Sequence, residues 1–296
     1  MEYAAVGGAT AWDRDTLREE DWLIPLRSPL LGVAAEAAAA APLDPATADL
    51  VARVARSLRT GPGLAVVRGL ELAGLSDEEC VELCRRFVAL VGSVRPHDSG
   101  AQGADLVVAT PPSPGHLPGV AGPVRSDRDD HELALHTDRA GFPGPPRLLA
   151  LLCIRPALHG GESLLASGHT VHDRLLAARP AVLHHLYQDF HFGSGAGFDR
   201  IYPVFRRTAA GPQVQYNRHW IGRGQQETGR PFPAGRTAAL DAFDEVLADP
   251  RTVVRLHLHR GDLLLLDNTL ILHGRTAFTD PRTPRAHRCL ARAWAD

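Results

Sequence analysis

A chain of 296 residues can bury a large core, as one large domain or two small ones. Its 32 basic residues, all arginine, nearly balance 34 acidic ones, so the net charge of −2 points to neither nucleic acid nor a membrane surface as partner. Four irregularly spaced cysteines do not make a disulfide framework, no apolar run is long enough to span a bilayer, and Met1-Glu2-Tyr3 lacks a secretion signal's pattern, so a cytoplasmic chain is expected.

Residues 1–32 carry no clear element, and Ala34–Ala41 is nearly pure alanine around Glu36, stopped by Pro42 and Pro45. Asp44 then stands as N-cap before Pro45, with Leu50, Val51, Val54 and Leu58 at helical spacing. Gly61-Pro62-Gly63 turns the chain into the short strand Leu64–Val67. Ser76 and Glu79 form a capping box for a helix reaching about Leu90, in which Cys80 and Cys84 lie one turn apart and pack in the core. Gly92–Asp130 is long and rich in glycine and proline, with Leu106–Val108 as its clear strand; a loop of this length is expected either to form part of a site's wall or to be a disordered surface insertion. Pro145–Ile154 reads as a strand buried on both faces, Gly160–Leu165 as turn and strand, and Ser167 or Thr170 as the cap of a helix, with another from Ala181 towards Tyr187. Residues 188–230 mix glycines with aromatics around a strand at Val214–Asn217, and Arg236–Ala248 is an amphipathic helix. The end is strand-rich: Val253–His259, Asp262–Ile271 as one long strand or a pair, and His287–Trp294. Helices early and strands later predict a mainly β sandwich or barrel with peripheral helices.

The chemistry gathers in His131–Asp138. Apolar alternation carries this stretch as a strand, which puts His136 and Asp138, two apart, on one side. A third ligand is offered by His273 in the Gly261–Arg275 stretch. Two imidazoles and one carboxylate on one face of an octahedral ion leave three positions open, the facial triad of non-haem Fe(II) oxygenases. The competing readings are a surface His-x-Asp pair with a core histidine, a metal-binding protein that senses or stores a ligand, and a Zn hydrolase using the same three side chains.

Four pieces carry a family resemblance that favours the oxygenase and leaves the last two readings as alternatives: His136-Thr137-Asp138; Gly160-Gly161-Glu162-Ser163; Gly261-Asp262 through Asp267-Asn268 to Leu272-His273-Gly274-Arg275-Thr276-Ala277-Phe278; and Arg288-Cys289-Leu290-Ala291-Arg292. With these the sequence resembles the TauD/TfdA family of Fe(II)/2-oxoglutarate-dependent dioxygenases, from about residue 60 to the end. The resemblance implies one domain over residues 1–296, with 1–60 as an N-terminal extension, and a double-stranded β-helix (jelly roll) core. It implies Fe(II) on His136, Asp138 and His273, 2-oxoglutarate as cosubstrate and O2 as oxidant, with succinate and CO2 released and a C–H bond of a small polar molecule oxidised, an amino acid or a specialised-metabolism intermediate. Asp138 argues against the halogenating relatives, which carry a small residue there. Arg288 is expected to grip the 5-carboxylate of 2-oxoglutarate, Ser163, where the family often has threonine, to assist, and Arg292 to contact cosubstrate or substrate. Arg275 is expected to orient loops. Arg139, Phe142, Tyr216, Asn217 and Trp220 are the expected substrate-facing residues. Neither nucleic acid nor membrane is an expected partner, and the oligomeric state stays open.

Overall fold

A computed structural model describes residues 3–26, 43–96, 106–108, 130–142, 144–193 and 200–296. The Ala34–Ala41 run and most of the Gly92–Asp130 loop lie outside the described residues.

The elements follow in chain order. Helix α1 (Glu19–Trp22) leads into β1 (Leu23–Pro25), and α2 (Pro45–Arg59) into β2 (Leu64–Arg68). Next are α3 (Asp77–Ala89), β3 (Val94–Arg95), β4 (Leu106–Val108), β5 (Leu133–His136), β6 (Leu148–Arg155), β7 (His159–Gly160) and β8 (Ser163–Ser167). A second helical layer comprises α4 (Gly168–Ala178) and α5 (Pro180–Leu186), then, after β9 (Asp189–Phe192), β10 (Arg200–Pro203), β11 (Phe205–Thr208) and β12 (Gly211–Val214), α6 (Arg218–Glu227) and α7 (Ala234–Ala248). The chain closes with β13 (Val253–Leu256), β14 (Leu263–Asp267), β15 (Ile271–Arg275), β16 (Phe278–Thr279) and β17 (Cys289–Ala295).

The helix starts obey their sequence signals. Asp44 accepts from the amides of Ala46 and Thr47, Ser76 and Glu79 close a reciprocal capping box, and Ser167 accepts from the amide of Thr170. Of the two candidates for the cap of α4, Ser167 is therefore the cap.

Seven strands form one sheet in the order β1-β2-β14-β6-β17-β3, with β4 also on β17; four form a second in the order β13-β8-β15-β5. Among the described residues all pairings in these two sheets are antiparallel except β1 on β2. Alternation sorts the side chains of the large sheet into two layers. Ala65, Val67, Ala150, Leu152, Leu263, Leu265, Ala291 and Ala293 face the helices α2 and α3. Leu64, Val66, Leu149, Leu264, Leu266, Leu290 and Trp294 face inward and pack against Leu165, Leu256 and Ile271 of the small sheet. The outer side of the small sheet, through Ala166 and Leu272, is covered by the layer of α4–α7. Before residue 60, Trp12 is buried with its indole N–H on the carbonyl of Pro62 at 2.8 Å.

The architecture is thus mixed α/β with several sheets, not mainly β: helices take as much of the described chain as strands do. The expected Val253–His259 strand stops at Leu256, because Val253–Leu256 pairs with β8 and nothing continues the ladder. The Asp262–Ile271 stretch is neither one strand nor a hairpin within one sheet. Its halves, β14 and β15, enter different sheets across a three-residue turn, which Asp267 secures by accepting from the amide and hydroxyl of Thr269. Among the described residues no helix is long and apolar enough to cross a membrane.

Candidate metal centre and its cavity

Strand β5 is short and half-exposed, and a bulge sets its register. His136 pairs with His273, but Leu133 pairs with Arg275, so three steps on β5 oppose two on β15. The bulge turns both Leu133 and His136 towards the space between the sheets, which simple alternation does not do. The strand then ends, and Asp138 sits beyond it in a turn. The expectation that one strand carries both ligands therefore needs correcting: His136 is a strand residue and Asp138 a turn residue.

That turn is held by hydrogen bonds. The Thr137 amide donates to the carbonyl of Tyr216 at 2.8 Å, and the Tyr216 amide donates to the Thr137 hydroxyl at 3.0 Å. The buried Asn268 side chain accepts from the Asp138 amide at 2.7 Å and donates to the carbonyls of Asp138 at 3.0 Å and Pro146 at 2.9 Å. The turn between β14 and β15 thus grips the peptide of Asp138 from both sides. Arg139 follows at φ 56°, the one non-glycine residue in the left-handed region among those described, and the Phe142 amide returns to its carbonyl at 3.0 Å. Gly141, at φ 84°, packs where any Cβ would meet Phe192 at 2.3 Å.

His136, Asp138 and His273 each offer a ligand atom, all within 4.8 Å of one another. Asp138 Oδ1 lies 3.5 Å from His136 Nε2 and 3.4 Å from His273 Nε2, so this oxygen and the two Nε2 atoms face one point. His136 Nδ1 lies 2.8 Å from the carbonyl of Ala134; as a donor there it leaves the Nε2 lone pair for the metal. Burial, with His136 as neighbour, pushes the His273 pKa down and favours the neutral ring a metal needs. Burial pushes Asp138 up, but the two imidazoles and the charge of Arg292 outweigh it and hold the carboxyl well below its usual range. The other oxygen, Oδ2, accepts from the indole N–H of Trp294 at 2.8 Å. Two imidazoles and one carboxylate, converging with Asp138 and His273 buried and His136 half-buried, fit a divalent transition metal.

The cavity next to these ligands is lined by Val107, Leu149, Leu151 and Leu290 and by Ser163, Arg275, Arg288 and Arg292. All three expected cosubstrate residues, Ser163, Arg288 and Arg292, thus share one cavity with the three candidate ligands. Alternation along β17 explains two of them: Arg288, Leu290, Arg292 and Trp294 share one parity. Arg288 stands just ahead of the strand, its amide fixed on Asp280 Oδ1 at 2.8 Å. Its guanidinium is buried, and no acceptor among the described residues takes a hydrogen bond from it. Burial, then the charge of Arg275, lower its pKa to about 10, so it remains a cation at neutral pH. Glycine is required beside it: Gly160 and Gly161 have φ 71° and 72°, and a Cβ on Gly160 would meet the Ala277 carbonyl at 2.2 Å, while one on Gly161 would press on Arg288 Nε at 3.2 Å. Arg275 donates to the carbonyl of His131 at 2.6 Å, tying β15 to the segment that enters β5, while its guanidinium lies over the Phe278 ring at 4.5 Å.

The expected substrate-facing residues separate. Arg139 and Phe142 stay beside the centre, the guanidinium 4.4 Å from the Phe142 ring and 5.8 Å from that of Trp294. Tyr216 is a core residue: its ring stacks on Phe243 at 4.2 Å, its hydroxyl bonds Asp244, and its backbone alone bonds Thr137, between two of the candidate ligands. Asn217 caps helix α6 by accepting from the amide of Trp220, so Val214–Asn217 is a strand end followed by a cap. Trp220 packs on the helical core and its carbonyl accepts from Gly193. None of these three lines the cavity, and neither Arg139 nor Phe142 does. Of the long loop before β5, Leu106–Val108 pairs with β17 and Val107 lines the cavity, while residues 109–129 lie outside the described ones. Sequence reasoning assigned no role to Asn268 and Trp294. The shared parity with Arg288 and Arg292 was the available signal for Trp294; for Asn268 there was only its place in the turn.

The family described as Taurine catabolism dioxygenase TauD, TfdA family matches residues 27–294. FR-33289 synthase of Streptomyces rubellomurinus is 28% identical over 264 residues, which cover 86% of this chain and 75% of that protein. Uridine-5'-phosphate dioxygenase of a Streptomyces species is 30% identical over 152 residues, 48% of this chain and 54% of that protein. Among solved structures, asparagine oxygenase in complex with Fe(II), 2S,3S-3-hydroxyasparagine and succinate superposes with a TM-score of 0.63 over 93% of each chain at 20% identity. The non-heme iron oxygenase OrfP with Fe and alpha-ketoglutaric acid does so with a TM-score of 0.63 over 92% of this chain and 93% of that one, at 16% identity. At such identities the structural likeness is one of fold.

Proposed function

The chain belongs to the TauD/TfdA family of Fe(II)- and 2-oxoglutarate-dependent dioxygenases, and from this premise we propose that it hydroxylates a free amino acid or a close derivative of one. Its cofactors are Fe(II) and 2-oxoglutarate, and family membership sets aside the ligand-storing and zinc-hydrolase readings. The two facing sheets are read as the halves of a jelly roll, and the chain as one catalytic domain that includes its first 60 residues.

The observation that carries the reading is the pairing, in one cavity, of a three-ligand centre with the buried Arg288 cation. A buried guanidinium is costly unless an anion joins it, and its planar fork matches a carboxylate. His136, Asp138 and His273 would hold the iron; Arg288, with Ser163 and Arg292 beside it, would hold the distal carboxylate of 2-oxoglutarate. Bound together, iron, cosubstrate and O2 supply the oxidation of a C–H bond with release of succinate and CO2. The protein's own part is orientation and dryness. Leu149, Leu151, Leu290 and Val107 exclude water from the cavity, while the Asn268 clamp and the β5 bulge fix the ligand directions. Arg139, stacked on Phe142 at the centre's edge, would pair with a substrate carboxylate. The amino-acid class is supported by the amino acids bound in two structural neighbours, 3-hydroxyasparagine with succinate in asparagine oxygenase and L-Arg in OrfP.

The test is succinate release by the Fe(II)-loaded protein with a panel of free amino acids, with products identified by mass spectrometry. One amino acid is expected to raise release well above the basal rate and to gain one oxygen atom. Arg139→Ala should weaken that stimulation and leave basal 2-oxoglutarate turnover intact. A panel that never exceeds the basal rate would remove the amino-acid class.

A further inference from the structure

Trp294 lies six residues after Arg288 on the inward-facing parity of β17, and it is buried between the sheets. A buried indole N–H needs an acceptor. Here the acceptor is a metal ligand: Nε1 donates to Asp138 Oδ2 at 2.8 Å. The two carboxylate oxygens of Asp138 therefore face different ways. Oδ1 lies 3.5 and 3.4 Å from the Nε2 atoms of His136 and His273, on the metal side. Oδ2 is turned towards the indole. A carboxylate with both oxygens free can bind a metal through one or both, and the second mode occupies a position that cosubstrate or O2 requires.

We propose that Trp294 is a positioning residue that holds Oδ2 of Asp138 away from the metal, so that the carboxylate binds through Oδ1 alone and three coordination positions stay open. This rests on the reading of His136, Asp138 and His273 as the metal ligands. The direction of the indole is itself constrained. The Arg292 guanidinium lies 5.2 Å from the Trp294 ring and that of Arg139 5.8 Å from it. Cations near an aromatic ring are attracted to its face, so the two arginines favour the ring position that aims Nε1 at Oδ2. The backbone of Asp138 is separately fixed by Asn268, which leaves side-chain rotation as the freedom that Trp294 removes. The tryptophan also stands within reach of Arg139, the residue next to the ligand, and so links the metal carboxylate to the substrate edge of the centre.

The test replaces the donor and keeps the ring: Trp294→Phe, read with Co(II), which needs no turnover. Co(II) affinity is expected to fall about 10- to 100-fold, the usual range for loss of a partner that orients a metal ligand. The visible absorption of the Co(II) form, which reports its ligand set, should change, and 2-oxoglutarate should bind this form more weakly. A purely packing role predicts a lower unfolding temperature with an unchanged Co(II) spectrum, and that result overturns the proposal. Should Trp294→Phe not fold, the unsubstituted protein carries the test: with its four tryptophans labelled at the indole nitrogen, one N–H signal should move on adding Zn(II) and resist solvent exchange. Four unmoved signals in a protein that binds Zn(II) overturn it. His136→Ala separates the two claims. If that variant binds Co(II) as tightly as the parent, the metal reading fails and takes this inference with it; if it loses Co(II) while Trp294→Phe matches the parent, the inference alone fails.

Discussion

Strands β14 and β15 follow one another through the three-residue turn Asn268–Leu270, and every residue of both is buried. Strand β14 reads Leu-Leu-Leu-Leu-Asp and spends its side chains on two apolar layers, Leu264 and Leu266 inward, Leu263 and Leu265 towards α2 and α3. Strand β15 reads Ile-Leu-His-Gly-Arg: Ile271 joins the inner apolar layer, Leu272 the helical one, and His273 and Arg275 line the cavity. Equal burial thus supports two different ends. A buried leucine needs only neighbours of the right shape. A buried imidazole or guanidinium needs a partner, and where the protein supplies none, a metal or an anion from outside completes the site. In β15 Nδ1 of His273 has no hydrogen-bond partner among the described residues, and its Nε2 faces Asp138.

The sharpest test of this contrast is to empty one position in each strand. His273→Ala should abolish Fe(II)-dependent succinate formation altogether while the folded protein persists by circular dichroism. Leu265→Ala should behave in the opposite way. Truncating a fully buried leucine costs about 2–5 kcal/mol, visible in urea denaturation, with activity per folded molecule retained. A Leu265→Ala protein that folds normally but has lost catalysis would break the division between the strands.

A smaller effect is expected where the anion completes the site. Arg288→Lys keeps a cation but loses the planar fork; at about 1.5–3 kcal/mol for a hydrogen bond to a charged group, the KM for 2-oxoglutarate should rise roughly 10- to 100-fold. The KM for the amino-acid substrate should move little, and equal changes in both would mean that Arg288 does not serve the cosubstrate. The smallest effect belongs to the turn between the two strands. Asn268→Ala strands the amide and carbonyl of Asp138 and should cost about 1–3 kcal/mol of stability. It should also weaken metal binding, measured by Co(II) titration, because the peptide that presents Asp138 becomes loose.

Residues whose chemistry is local were legible before the fold. Asp44, Ser76 and Ser167 announce helix starts because a cap needs only its own next three residues. The pattern Leu263–Leu266 announces a strand buried on both faces, and the residue types of His136, Asp138 and His273 announce a metal, since few other arrangements use two imidazoles and a carboxylate in such contexts. What sequence could not convey is register. The extra residue in β5 turns His136 inward, and nothing in His131–Asp138 signals a bulge, which exists only as a mismatch with β15. Likewise the aromatic stretch around Tyr216 looked like a substrate wall. Helix α7 takes its ring into the core through Phe243 and Asp244, contacts set 27 and 28 residues away in the chain. Sequence by itself determined which side chains could hold a metal and an anion. Only the tertiary structure decided that Asn268, from 130 residues downstream, clamps the peptide of Asp138 and that Trp294, 156 residues downstream, holds its second oxygen, because orientation at a buried site is set by whichever strands the folded chain lays side by side.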